Sequence, residues 1–167
     1  MKTLLKIGIA ILALIVLIKL VPSTLTGLPM SNQPAPEVAP EKTFSANGTV
    51  ITTFGEGRKM SRFIVDNKGN QNYYYITLKQ IVGGNSVTLY VHPEKEVTAD
   101  LPSGEYELYI SYGTTWYGAD LMFGNTGGYG KARENITAIE NTEQTIIPEA
   151  INGNMKVDAV SRDKVKG

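Results

Sequence analysis

The loop at residues 124–131 is the first place where residue types and spacing suggest chemistry. Its sequence, GNTGGYGK, sets glycines before a lysine, as in loops that hold phosphate with backbone N–H groups. A P-loop reads G-x-x-x-x-G-K-[ST], but here Asn125 occupies the first position and Ala132 the last. An all-β chain also lacks the helix N-terminus that would face the phosphate. We therefore expect no nucleotide site and interpret the segment as a flexible loop that crosses from one sheet to the other.

Acid–base and metal chemistry would depend on His92, the only histidine. On an alternating strand His92 shares a face with Tyr90, opposite Val91, so we expect an exposed side chain. The chain has no cysteine, which leaves an unusual ligand set for zinc. No G-x-S-x-G sequence marks a nucleophilic serine. The sequence therefore predicts no catalytic residue, no metal site and no cofactor, and it favours a protein that is not an enzyme.

Residues 66–70, with the sequence DNKGN, place oxygen-bearing side chains beside a glycine, as calcium loops do. The EF-hand pattern D-x-[DN]-x-[DN]-G requires Asp or Asn at its third position, where this chain has Lys68. A hairpin turn between two strands is the better interpretation.

Tyrosines on the predicted strands are the strongest candidates for binding. Strand alternation places Tyr73 and Tyr75 on one face, and Tyr90 and Tyr109 on the corresponding face of two other strands. If these strands are neighbours in one sheet, an exposed tyrosine face results. Tyrosine combines apolar contact with a hydroxyl at low entropy cost, which suits peptide, glycan or protein partners. The alternative is that tyrosine simply favours half-exposed strand positions.

The segment Trp116-Tyr117-Gly118 contains the only tryptophan and has two interpretations. An exposed indole would form a platform for stacking sugars. A buried indole would plug one end of a sandwich, with Gly113 and Gly118 permitting the turns around it. Its place between a strand and a glycine-rich segment favours the plug.

Lys131 and Arg133 flank the end of the glycine-rich segment. We expect them to form surface ion pairs with Asp120 or Glu134. Such exposed pairs contribute less than about 1 kcal/mol to stability.

The elements that must position these residues are short strands. Alternating apolar residues and frequent Gly, Pro and Asn turns predict strands at residues 48–53, 62–66, 72–81, 87–91, 96–101, 105–112, 134–140, 144–147 and 154–160. No segment beyond the N-terminus has a helical period. The predicted fold is all-β: a single antiparallel β-sandwich of about seven to nine short strands behind an N-terminal transmembrane helix.

Residues 1–21 form an apolar segment, with Lys2 and Lys6 before the central run and Lys19 after it. With these lysines reaching towards the head groups, the segment is close to the length that spans a bilayer. A cleaved signal peptide has the same charged start and apolar centre, but no A-x-A-like site follows Lys19. We therefore predict a single-pass anchor with a cytoplasmic N-terminus. Secretion after signal cleavage is the alternative.

Three further segments follow the anchor. Residues 22–42 contain five prolines and predict a stiff, extended linker. Residues 43–160 form the extracytoplasmic β-sandwich domain, and residues 161–167 a polar, frayed tail. Lys and Arg together number 16, as do Asp and Glu, so no net positive field would attract nucleic acid.

Residues 72–132 resemble a domain of uncharacterised bacterial membrane-anchored and secreted proteins that carries a Y-G-x-x-W-Y-G…F-G-x-x-T-x-Y-x-K-A phrase. This chain departs from the phrase by placing Gly127 and Gly128 between Thr126 and Tyr129. The resemblance implies a β-sandwich-like module at the cell envelope and does not imply any particular activity. The matching residues are Leu101, Pro102, Gly104, Tyr106, Leu108, Tyr112, Gly113, Trp116, Tyr117, Gly118, Phe123, Gly124, Tyr129, Lys131 and Ala132.

The sequence as a whole predicts a non-enzymatic binding or interaction module, tethered to the membrane through residues 1–21. Its partner would be a protein or a cell-wall polymer, bound by the tyrosine face or by the loop at residues 113–131. A structural subunit of an envelope assembly is the alternative function. A small hydrolase is the second alternative.

Overall fold

The computed structural model of the chain describes residues 39–54, 60–148 and 153–166. The predicted anchor at residues 1–21 and the predicted linker up to residue 38 lie outside these ranges. Across the described ranges, no helix is long and apolar enough to cross a membrane.

The described residues form ten strands and one short α-helix, which confirms an all-β fold. The number of strands exceeds the prediction because residues 128–132, expected to be a loop, also form a strand. The helix, α1, spans Arg162–Lys166. The strands are β1 Val50–Thr52, β2 Met60–Asp66, β3 Tyr73–Gln80, β4 Ser86–Val91, β5 Glu96–Pro102, β6 Gly104–Gly113, β7 Gly128–Ala132, β8 Ile136–Ala138, β9 Glu143–Ile146 and β10 Val157–Ala159.

The larger sheet has seven strands in the order β1-β4-β3-β6-β7-β10, and β8 also pairs with β6. Every pairing in this sheet is antiparallel. Strand β3 lies between β4 and β6, with Ile76 opposite both Leu89 and Ile110. Because β3 has a neighbour on each side, its backbone N–H and C=O groups are used inside the sheet.

The smaller sheet has the order β5-β2-β9. Strands β2 and β5 are antiparallel, but β2 and β9 are parallel, with Arg62 opposite Glu143. The prediction of purely antiparallel pairing is therefore wrong for β9. Parallel neighbours require a long connection, and the chain between β2 and β9 supplies one by passing through six other strands.

The two sheets contribute to one hydrophobic core. Alternation along each strand points Phe63 and Val65 of β2 inwards, together with Val97 and Leu101 of β5. The same core contains the inner residues of the larger sheet: Tyr74, Ile76, Leu78, Val87, Leu89, Val91, Tyr106, Leu108 and Ile110. Each large apolar side chain buried here stabilises the fold by about 1.5–3 kcal/mol.

The turn at residues 66–70 does not close a hairpin, contrary to the sequence prediction. Strand β2 before it and strand β3 after it belong to different sheets. The connection depends on Asn67, a residue that is only 1 % exposed. Its Nδ2 donates to the carbonyl of Asn72 at 2.9 Å and to that of His92 at 2.8 Å. Asn67 thereby fixes the path of the chain from one sheet to the other.

Replacing Asn67 with alanine is expected to destabilise the fold by about 1–3 kcal/mol, because it leaves two carbonyl acceptors without their donor. Urea unfolding of the full-length chain measures the change. The matched control is Asn125→Ala, which removes an exposed asparagine. Equal stability of the two variants would show that Asn67 does not hold the connection.

Candidate functional site

The face of the larger sheet that points away from the shared core carries the predicted tyrosines. Tyr75 pairs with Tyr90 across β3 and β4, and Thr77 pairs with Tyr109 across β3 and β6. The prediction that Tyr73, Tyr75, Tyr90 and Tyr109 share one face is confirmed. We call this surface the outer face.

The outer face is not an open tyrosine surface. Tyr90 is 6 % exposed and Tyr109 is 8 % exposed, while Tyr73 and Tyr75 are half-buried. Exposure was therefore predicted wrongly for Tyr90 and Tyr109. The reason is a second hydrophobic cluster, built on the outer face by Phe44, Trp116, Met122, Phe123 and Val165, which we call the aromatic cover.

Trp116 lies at the centre of the aromatic cover. Its ring centroid is 5.0 Å from that of Phe44 in a T-shaped arrangement, 5.3 Å from Tyr75 and 5.1 Å from Phe123. The indole is 6 % exposed, so it offers no open face on which a sugar could stack. The indole is buried as predicted, but the predicted plug at one end of the sandwich is wrong, because Trp116 packs against the outer face.

The loop after β6 turns back on itself and thereby places Trp116 and Phe123 against the outer face. Gly113 permits a close approach, since a Cβ there would lie 2.8 Å from the Cβ of Phe123. Gly118 has φ +97°, a conformation that glycine adopts without strain. Tyr117 then donates its backbone N–H to the carbonyl of Met122 at 2.7 Å. The turn in the loop thus fixes the position of the cover.

The segment before β1 completes the cover. The backbone N–H of Lys42 donates to the carbonyl of Trp116 at 2.7 Å, and the Phe44 ring follows in the cluster. His92 is half-buried, not exposed as predicted, because its ring lies 5.1 Å from that of Tyr73 and its Nε2 lies 2.7 Å from the carbonyl oxygen of Ser45. His92 therefore holds this segment against the sheet.

The glycine-rich segment is not a crossover between sheets. After a 3-10 turn at Gly124–Thr126, strand β7 pairs with β6 in the same sheet. The expected ion pairs also differ. Lys131 pairs with Glu107 at 2.5 Å, because both side chains lie on the outer face of adjacent strands. Arg133 pairs with Asp158 of β10 at 2.7 Å.

The end of the chain was predicted to be a frayed tail, but residues 162–166 form helix α1. Val165 is 1 % exposed and belongs to the aromatic cover. Lys166 lies 3.8 Å from Asp120 of the loop. A single apolar residue among charged ones gave too weak a signal to predict that this short helix packs.

Beside the aromatic cover the outer face remains open, forming a trough of about 550 Å³. The exposed wall of the trough is Ala119 and Asp120 of the loop, with Lys166 of α1. Its sheet side consists of Tyr75, Thr77, Lys79, Gln80, Ser86 and Thr88. We call this concavity the open trough.

Hydroxyl groups converge in the floor of the open trough. The Oγ1 atoms of Thr77 and Thr88 lie 3.3 Å apart, and both residues are more than nine-tenths buried. Burial raises the pKa of the Tyr75 phenol, and hydrogen bonds with Thr88 and Thr77 oppose that shift. All three hydroxyls are therefore neutral near pH 7 and able both to donate and to accept hydrogen bonds.

A charged group borders the hydroxyls. Glu107 accepts a hydrogen bond from the Tyr109 hydroxyl at 2.7 Å and another from Lys131. The Lys131 hydrogen bond, followed by that of Tyr109, lowers the pKa of the Glu107 carboxyl. Lys79 lies with its Nζ 4.7 Å from the Tyr109 ring centroid, and burial lowers the pKa of its amine while Glu107 opposes the change.

A second concavity, of about 510 Å³, lies at the other side of the larger sheet near the start of β3. The Tyr74 and Tyr112 rings line it, with centroids 5.5 Å apart. The Tyr74 hydroxyl is already used, since it donates to the carbonyl of Pro148 at 2.5 Å and accepts from Asn70. This hydroxyl is therefore already committed to the fold.

Sequence reasoning missed Thr77, Thr88 and Lys79. Strand alternation with Tyr75 was the available signal for Thr77 and Lys79, because residues two apart share a face. Nothing local indicated that the tyrosines would be covered while these polar residues would line an open concavity.

Among the described residues, no group of three or more His, Asp or Glu side chains is placed to hold a metal ion. No protein-family model, curated protein or solved structure matches the chain. The geometry of the outer face is therefore the basis for a functional assignment.

The Glu107 network gives a pH-dependent prediction. Because the folded pKa of Glu107 is lowered below 4.5, its stabilisation is present above pH 4.5 and is lost as the pH falls through the folded value. Glu107→Gln is therefore expected to destabilise the chain at pH 7, and the difference from wild type is expected to shrink at pH values well below 4.5. Urea unfolding across this range measures the difference. Glu134→Gln, at an exposed site, is the control, and a pH-independent difference for Glu107→Gln would contradict the network.

Proposed function

We propose that this protein is a non-enzymatic extracytoplasmic binding module, tethered to the cell membrane by residues 1–21, with a protein or a cell-wall polymer as its partner. The binding site is the open trough. The observation on which the proposal rests is the division of the outer face: one half is sealed by the aromatic cover, whereas along the other half hydroxyl-bearing residues and a lysine line an open concavity.

The composition of the open trough supports binding. Thr77 and Thr88 are buried by their neighbours but still line the trough, so their hydroxyls are held in fixed positions. Asn85 donates to Gln80 at 2.5 Å, which fixes a neighbouring amide in the same way. Polar groups held rigidly before a ligand arrives lose little entropy when it binds.

The fold and the sequence phrase support the envelope setting. Two sheets around one core are consistent with a β-sandwich, the architecture of many cell-surface domains. The phrase residues Trp116, Tyr117, Gly118 and Phe123 build the loop that covers the outer face, while Lys131 anchors Glu107 beside the trough. The resemblance to envelope modules thus falls on residues that shape the proposed site.

Filling the open trough tests the proposal. Ala119→Trp adds an indole at an exposed position on the trough wall, and Thr98→Trp adds one to the outward face of β5 as the matched control. Co-sedimentation of the full-length protein, in mild detergent, with purified insoluble cell-wall material measures binding. We expect Ala119→Trp to weaken binding by about tenfold or more, equivalent to about 1.4 kcal/mol, and Thr98→Trp to bind as wild type does. Unchanged binding by Ala119→Trp would remove the trough as the site.

Self-assembly is a second candidate function, favoured by the exposed edge strand β1. Val50 and Ile51 are 37 % and 52 % exposed, and β1 pairs only with β4 among the described strands. An apolar edge can pair with a strand from another molecule.

A charge on the β1 edge tests this second candidate. Ile51→Lys is expected to convert any oligomer to monomer, because lysine on an edge strand opposes edge-to-edge pairing. Sedimentation velocity of the full-length protein in detergent measures the mass, with Ile139→Lys as an exposed control. A wild-type protein that is strictly monomeric would contradict assembly through β1.

A further inference from the structure

The open trough contains an amine whose charge is not balanced by a direct partner. Lys79 forms no ion pair within 4 Å with any residue that the structure describes, and its side chain is half-buried. Glu107, which lies opposite Lys79 across β3 and β6, is engaged by Lys131 and by the Tyr109 hydroxyl. The Lys79 amine is therefore available to a ligand.

The charges around the trough leave an excess of one positive group. From the strands come Lys79, Lys131 and Glu107; from the loop and α1 come Asp120 and Lys166. Glu107 offsets Lys131, and Asp120 lies 3.8 Å from Lys166. The Asp120 side chain is almost fully exposed, so it is strongly solvated and competes weakly for a ligand site. The remaining charge lies at Lys79.

Lys79 has different neighbours on its two sides. Towards β6 its Nζ lies 4.7 Å from the Tyr109 ring centroid and Glu107 is its partner in register, whereas its neighbours along β3 and on β4 carry hydroxyls. Thr77 lies two residues before it on the same face of β3, a separation of roughly 7 Å. Ser86 of β4 pairs with Lys79 across the sheet, and Thr88 pairs with Thr77. The amine thus lies at the edge of a patch of hydroxyls that can each exchange hydrogen bonds with hydroxyls of a ligand.

The position of the trough within the sheet favours a saccharide over a peptide. Strands β4 and β6 flank β3 on both sides, so β3 has no free edge to which a peptide strand could pair. Contacts with β3 in the trough must therefore be made by its side chains. Hydroxyls, amides and an ammonium group are suited to a ligand that is itself rich in hydroxyls and carries anions.

We propose that the open trough binds an acidic polysaccharide, with the Lys79 ammonium contacting its anionic groups and the hydroxyls of Thr77, Ser86 and Thr88 contacting its hydroxyls. This inference rests on the proposed binding function and names the ligand class for the same site. The anion is either a carboxylate on a sugar ring or a phosphate along a polyol chain, since both present anionic oxygens to an ammonium.

Two acidic polymers and one neutral polymer test the ligand class. Isothermal titration of the full-length protein uses polygalacturonate, fully methyl-esterified polygalacturonate and poly(glycerol phosphate). We expect at least one of the acidic polymers to bind about tenfold or more tightly than the neutral ester, with affinity falling as salt is added. Which acidic polymer binds more tightly distinguishes the carboxylate from the phosphate. Equal binding of acidic and neutral polymers, or no binding of either acidic polymer, would overturn the inference.

Variants of Lys79 test the residue. Lys79→Met keeps the apolar stem and removes the charge, and is expected to abolish the preference for the acidic polymer. Lys79→Arg retains the charge and is expected to retain most of the preference. Lys95→Met removes an exposed lysine outside the trough and serves as the matched control. Unchanged selectivity in Lys79→Met would overturn the role of Lys79.

Two further measurements separate this inference from the proposed function. Binding of poly-L-glutamate as tight as that of the acidic polysaccharides, and equally dependent on Lys79, would overturn the saccharide class in favour of an acidic peptide. If the neutral ester binds as well as the acid and Ala119→Trp still blocks it, the inference about charge is wrong while the trough remains the binding site. If Ala119→Trp blocks neither polymer, the proposed function also fails at this site.

Discussion

The structure depends on one strand, β3, that is covered on both faces. Its inner residues Ile76 and Leu78 are fully buried against the smaller sheet, and its outer residue Tyr75 packs under the aromatic cover. A sheet with apolar residues on both faces must be covered on both sides so that these residues are removed from water. The smaller sheet covers one face with regular strands. The other face is covered by segments far apart in sequence, so the packing of Phe44, Trp116 and Val165 depends on the sheet being formed.

Alternation along the strands was sufficient to predict the all-β fold and the common face of Tyr73, Tyr75, Tyr90 and Tyr109. The cover could not be predicted in the same way. The segments that form the cover have no periodic pattern of apolar residues; they contain Phe44, Trp116 and Val165. These side chains cover the sheet only through contacts between segments that are distant in sequence. The connection at residues 66–70 shows a related limit. A turn rich in Asn and Gly is compatible with a hairpin or with a passage between sheets, and the buried hydrogen bonds of Asn67 determine which one forms.

The glycines that suggested phosphate binding have a packing role. A Cβ on Gly128 would lie 2.1 Å from the Cζ of Tyr112, and one on Gly130 would lie 2.2 Å from a methyl of Val157. Strand β7 thus keeps its surface flat where side chains of β6 and β10 lie across it. Because glycine has no side chain, it allows either a ligand or a neighbouring side chain to approach the backbone closely. A glycine-rich sequence therefore cannot distinguish these two roles. The register of β7 with β6 distinguishes them here.

The outer residues of β3 change from aromatic to polar along the strand, and this change explains why a trough exists. Tyr73 and Tyr75 lie under or beside the cover, whereas Thr77 and Lys79 lie where the open trough begins. Extending the cover over the ammonium group of Lys79 would remove a charge from water without a partner, at a cost of several kcal/mol. An apolar residue at position 79 would allow the cover to extend at no such cost. The aromatic end of β3 therefore requires an apolar cover, whereas the polar end of the same strand prevents one. The sequence of β3 thus determines that one half of the outer face stays open.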